Sequence, residues 1–146
     1  MNSRIAVIVL PVPREQVFRY LASIRNLPRW ATEFCSELKQ VDGKHKVVTC
    51  AALGKQELLF EIRADEKTGV IDMITGPSED QMALFSCRVV ELRGGSTAFL
   101  FTMFQFPETD DEHFERQYQS LEREFENVKK ALLGSEKPPT QVVADL

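Results

Sequence analysis

TDDEHFERQYQSLEREFENVKKALLG, residues 109–134, is the stretch on which the fold turns. Phe114, Tyr118, Leu121, Phe125, Val128 and Leu132 recur at helical spacing, so one stripe of the helix is apolar. Glu115, Arg116, Glu122, Arg123, Lys129 and Lys130 take other faces. Thr109-Asp110-Asp111-Glu112 has capping-box spacing with acids at the positive end of the dipole, and Lys129, Lys130 and Gly134 close the other end. At 1.5 Å per residue this predicts roughly 35 Å of helix, enough to cross a small domain. The spacing also fits a heptad seam, but coiled coils sustain it for longer and with aliphatic side chains. Because the preceding chain reads mostly as strand, the natural partner of the stripe is a sheet.

Working back from the helix, three turn signals divide the middle of the chain. Asp42-Gly43 marks a two-residue hairpin, Gly69 ends a tight connection after Asp65-Glu66-Lys67-Thr68, and Gly94-Gly95 marks a third turn. They bound predicted strands at 36–41, 44–52, 56–64, 70–75, 82–92 and 97–106, and the β-branched run Ile5 to Leu10 adds a seventh. Pro11 and Pro13 stop that first strand. Pro13 suits a helical first turn, with Val17, Phe18 and Leu21 on one face of a helix over 14–22. Asn26 is placed to cap a second short helix containing Pro28 and Trp30. The class is therefore α+β: strand, two short helices, six strands, one long helix. A curved sheet of seven antiparallel strands held off a single helix by bulky aromatics leaves a concave apolar space, the usual form of a small-molecule site.

A chain of 146 residues with 43% hydrophobic and 27% charged residues fits one globular domain, expected over 1–134. Residues 135–146, with Pro138-Pro139, read as a disordered tail. A net charge of −4 with scattered basic residues argues against nucleic acid. No stretch reaches the length of a membrane span, and the short run Ile5 to Leu10 ends in prolines too early for a signal peptide. Cys35, Cys50 and Cys87 are odd in number and lack C-x-x-C spacing, which reads as reduced, packed thiols and a cytoplasmic location. His45 and His113, without paired cysteines, do not make a metal site, and no nucleophile elbow or phosphate loop is present, so no cofactor is expected.

Several motifs, Pro13-Arg14-Glu15-Gln16-Val17-Phe18-Arg19-Tyr20-Leu21, Asn26-Leu27-Pro28-Arg29-Trp30, Cys87-Arg88-Val89-Val90 and Phe99-Leu100-Phe101-Thr102, resemble the START/Bet v 1-like (SRPBCC) superfamily in its polyketide cyclase/dehydrase-like branch. So does the closing helix from Glu112-His113-Phe114-Glu115-Arg116 to Leu132. The resemblance spans about Ser3 to Leu133. It implies a helix-grip fold and a hydrophobic tunnel between sheet and terminal helix for a lipid, polyketide or similar molecule. It does not choose between carriers and enzymes.

Candidate residues follow from register. If Gly94-Gly95 is a two-residue loop, Arg88 lies opposite Phe101, giving an apolar wall with one cation suited to a carboxylate or enolate; the other face, Phe85, Cys87 and Val89, is also apolar, so both directions stay open. Asp72, among apolar neighbours, could act as a general base if inward, but a four-residue turn at 66–69 pairs Asp65 with Val70 and sends Asp72 outward unless Gly69 carries a bulge. Tyr118 and Trp30 each carry one polar tip. The expected lining is Trp30, Phe60, Arg88, Phe99, Phe101, Tyr118, Leu121 and Phe125. The leading reading is binding of a small hydrophobic ligand. The alternatives are a metal-free cyclase or dehydratase using Arg88, Asp72 or Tyr118, and a protein-interaction module with a vestigial cavity. On strand 97–106, Leu100, Phe104 and Phe106 share the face turned from Phe99 and Phe101, and a second subunit could cover them as a homodimer.

Overall fold

The structure is a computed structural model that describes residues 2–134. Seven strands form one antiparallel sheet: β1 Ser3–Leu10, β2 Cys35–Val41, β3 Lys44–Thr49, β4 Glu57–Asp65, β5 Val70–Gly76, β6 Ala83–Glu91 and β7 Thr97–Phe104. Their order is β1-β7-β6-β5-β4-β3-β2, so the first strand closes against the last. Helices α1 (Arg14–Ala22) and α2 (Leu27–Trp30) follow β1, and α3 (Asp111–Leu132) ends the described chain.

Each element follows from local sequence. Along β1 the period-two pattern buries Ala6, Ile8 and Leu10 and exposes Ile5, Val7 and Val9. The β2–β3 hairpin turns in two residues, with Val41 opposite Lys44 and both Asp42 and Gly43 at positive φ, as a primed turn requires. Between β4 and β5 the pairing is Asp65 to Val70 and Ile62 to Met73, the register that the four-residue turn implies. Gly69 closes that turn at φ +79°, where a Cβ would fall 2.2 Å from the Val89 carbonyl oxygen.

Two local expectations are corrected. The cap of α3 is Asp110, whose carboxylate accepts from the His113 N–H at 2.7 Å, and not Thr109. Asn26 makes no side-chain cap on α2. Its amide donates back to the Tyr20 carbonyl at 2.9 Å, joining the two short helices.

The apolar stripe of α3 lies on the inner sheet face. Phe114, Leu121, Phe125, Val128 and Leu132 are buried there, and Tyr118 is half-buried. Phe125 is the hinge of an aromatic cluster, with ring centroids 5.6 Å from Phe99, 6.4 Å from Phe101 and 6.5 Å from Trp30. This cluster, with Val17 and Leu21 of α1, fills the layer where α1 and α2 meet α3. The tail from Ser135 onward lies outside the described residues.

Candidate functional site

Beside that cluster the sheet and α3 do not close on each other. A cavity of about 270 Å³ lies between them. Its walls include Leu27 and Trp30 from α2, Phe34 after it, Phe60 on β4, Met73 on β5, Phe85 on β6, Phe101 and Met103 on β7, and Leu121 on α3. The aromatic side chains prop the layers apart: Phe34 packs on Phe60 at 6.0 Å and Phe85 on Phe101 at 5.8 Å. Leu53, Phe106, Gln117 and Ser120 form the more exposed rim. Thr75, a polar residue of the wall, spends its hydroxyl on the Leu59 carbonyl at 2.7 Å.

Glu124 reaches the same cavity. At 5% exposure it is the one buried charged side chain among the described residues. Its Oε2 accepts from the backbone N–H groups of Glu33, at 2.9 Å, and Phe34, at 3.1 Å. The chain leaving α2 turns these donors inward as Phe34 and Cys35 also bond back to the Ala31 carbonyl. No donor meets Oε1 among the described residues. Burial pushes the Glu124 carboxyl up to about 7, against the opposing pull of the two N–H groups. Arg123 does not neutralise it, because that guanidinium grips Glu33 through two bonds of 2.7 and 2.8 Å at the surface. Those bonds hold Glu33 below the usual carboxylate range.

A second, wider recess of about 420 Å³ opens where β3 leaves β4, whose pairing covers only Lys46 to Val48. Lys44, His45, Glu61 and Glu79 line it beside Phe60 and Ile62, and Lys44 forms an ion pair with Glu79. Charged walls of this kind do not offer an apolar molecule the dry surroundings of the first cavity. Among the described residues no three His, Cys, Asp or Glu side chains are grouped to hold a metal ion.

By sequence the chain matches no family model and no curated protein. Solved structures match it over nearly their whole length. A START superfamily protein from Mycobacterium smegmatis gives a TM-score of 0.64 at 10% identity, covering 92% of this chain and 99% of that one. Ara h 8.0201 gives 0.64 at 18% identity, covering 92% and 99%. The Zhui aromatase/cyclase from Streptomyces sp. R1128 gives 0.64 at 14% identity, covering 91% and 92%. The chain has the START/Bet v 1-like fold. At these identities the likeness is one of architecture, and no helix among the described residues is long and apolar enough to cross a membrane.

Within this START/Bet v 1-like frame, Trp30, Phe60, Phe101 and Leu121 line the cavity, whereas Phe99 and Phe125 stack behind its wall in the aromatic cluster. Arg88 is a correction. The β6–β7 loop holds three residues, Arg93 to Gly95, with both glycines at positive φ, and Leu92 bonds to Ser96 at 2.8 Å. Cys87 therefore faces Phe101 and Val89 faces Phe99; one residue of slip turns Arg88 to the outer face, where its Nε donates to the Thr68 carbonyl at 3.1 Å. Asp72 lies on the outer face too, paired across the strands with Arg63 and Ser86. Tyr118 sits on the β1 side of α3, with the Arg4 guanidinium 3.8 Å above its ring and Arg4 also paired to Glu115. Glu124 is the residue that sequence reasoning missed. Leu121, Glu124 and Val128 continue one helical face, which is the signal that could have found it.

Proposed function

We propose that the cavity under α3 binds a small, mainly apolar molecule. The observation that carries this reading is the space itself: two apolar surfaces that would gain by closing leave about 270 Å³ between them, walled by Phe34, Phe60, Phe85 and Phe101. The test is titration with a polarity-sensitive apolar fluorophore. One molecule per chain is expected to bind. Ser120→Trp, at the half-exposed rim, is expected to weaken binding at least about tenfold, a loss of roughly 1.4 kcal/mol, with an unchanged melting temperature. Equal binding by both proteins would move the ligand elsewhere on the molecule.

A cyclase- or dehydratase-like catalyst is the second reading, favoured by the buried Glu124 carboxyl with its pKa at about 7, where a general acid or base works best. Arg88 and Asp72, both on the outer face, have no part in it.

We further propose that a second copy of the chain meets the outer face at β1, where Ile5, Val7 and Val9 are 53%, 54% and 54% exposed.

A further inference from the structure

We propose that Glu124 Oε1 is the ligand's polar contact, accepting a hydrogen bond from a hydroxyl carried on an otherwise apolar molecule. The inference rests on the cavity reading above and names the class of molecule that fits it. Glu124 is nine-tenths buried, yet only one of its two oxygens is used by the protein. The bonds from Glu33 and Phe34 fix the carboxyl group in place and leave Oε1, on a residue of the cavity wall, with its lone pairs unspent.

The surroundings decide what can meet it. A ligand carboxylate would bring like charge to a buried carboxylate, and the nearest guanidinium, Arg123, is occupied by Glu33 outside the cavity. An ammonium group would lose its hydration among Trp30, Phe60 and Leu121, with one counter-charge in return. A neutral hydroxyl loses little and gains a charge-assisted bond once Glu124 is ionised. The groups facing Glu124 are few: Glu33 and Arg123, bound to each other, and the thiols of Cys35 and Cys50. Burial holds the Cys35 thiol up at about 11 and raises Cys50 as well, so neither competes as an anion near neutrality.

A matched pair of probes tests this: naphthalene, which has only the apolar body, and 2-naphthol, which adds one hydroxyl. In Glu124→Gln the side-chain oxygen can still accept from Glu33 and Phe34, but an NH2 donor replaces Oε1. At pH 8 the ratio of 2-naphthol to naphthalene affinity is expected to be about tenfold higher in the wild type than in Glu124→Gln. Naphthalene affinity should be equal in the two. The wild-type ratio should also fall between pH 8.5 and pH 5.5 as Glu124 takes up its proton, a readout that needs no variant to fold. An unchanged ratio in Glu124→Gln together with a flat pH profile overturns the assignment and leaves the cavity reading standing. Failure of the wild type to bind either probe overturns both.

Discussion

Ionising Glu124 costs folding energy, and the sign of that cost sets a pH dependence. Burial lifts its carboxyl from the ordinary 4.5 to about 7 in the folded chain. A raised folded pKa means that the favourable contribution is complete below about pH 4.5 and is lost as pH rises through about 7, amounting to something on the order of 3 kcal/mol. Glu33 works in the opposite direction, since its lowered pKa confines its effect to the acid side of the ordinary carboxylate range. Wild-type stability by urea unfolding is therefore expected to fall between pH 5 and pH 8. In Glu124→Gln the fall should be much shallower, leaving the variant the more stable protein at pH 8; parallel pH profiles would remove Glu124 as the cause. This residue was hard to see in the sequence for a physical reason. Among Glu122, Arg123 and Glu126 it reads as one more solvated charge, and only the inward turn of the Glu33 and Phe34 N–H groups makes its burial tolerable.

Elements whose ends are fixed by short-range chemistry were legible, and α3 is the clearest case. Its stripe, its acidic start and its basic last turn all predict the observed Asp111–Leu132 helix, off by one residue at the cap. Replacing that cap, Asp110→Ala, orphans the His113 N–H and is expected to cost about 1 kcal/mol, read as a melting point lower by a few degrees. Thr109→Ala, one residue earlier, should cost far less, and equal costs would mean the cap is misassigned. The hairpin at Asp42-Gly43 was legible in the same way, because an Asp-Gly pair strongly favours the two-residue primed turn that is observed. Gly94-Gly95 was not. Two glycines allow a two- or a three-residue loop, and that choice of a single residue decides whether Arg88 or Cys87 turns to the inner face of the sheet. The β4–β5 turn carried a similar one-residue ambiguity, a bulge at Gly69, and the observed register, with Asp65 opposite Val70, has none and keeps Asp72 outside.

For the whole molecule, the two edges of the sheet differ. The β2 edge carries Glu37, Lys39 and Gln40, charged and polar groups that discourage pairing with another chain. The β1 edge has no charged residue from Ile5 to Leu10, and its exposed side chains are all β-branched. Antiparallel pairing of β1 with its own copy about a two-fold axis at Val7 would set Ile5 beside Val9 of the other chain and Val7 beside Val7, a self-complementary row that continues the sheet across both copies. Such a pairing leaves the cavity under α3 untouched, because it uses the outer face of an edge strand that contributes no residue to the cavity wall. Light scattering at micromolar concentration is expected to return twice the chain mass. Val7→Glu would place two carboxylates against each other at the axis and should return a single chain mass with fluorophore binding retained, since Val7 contributes nothing to the inner face. A wild-type mass of one chain would leave β1 as an unpaired edge, and a Val7→Glu protein that stays double would put the contact somewhere other than β1.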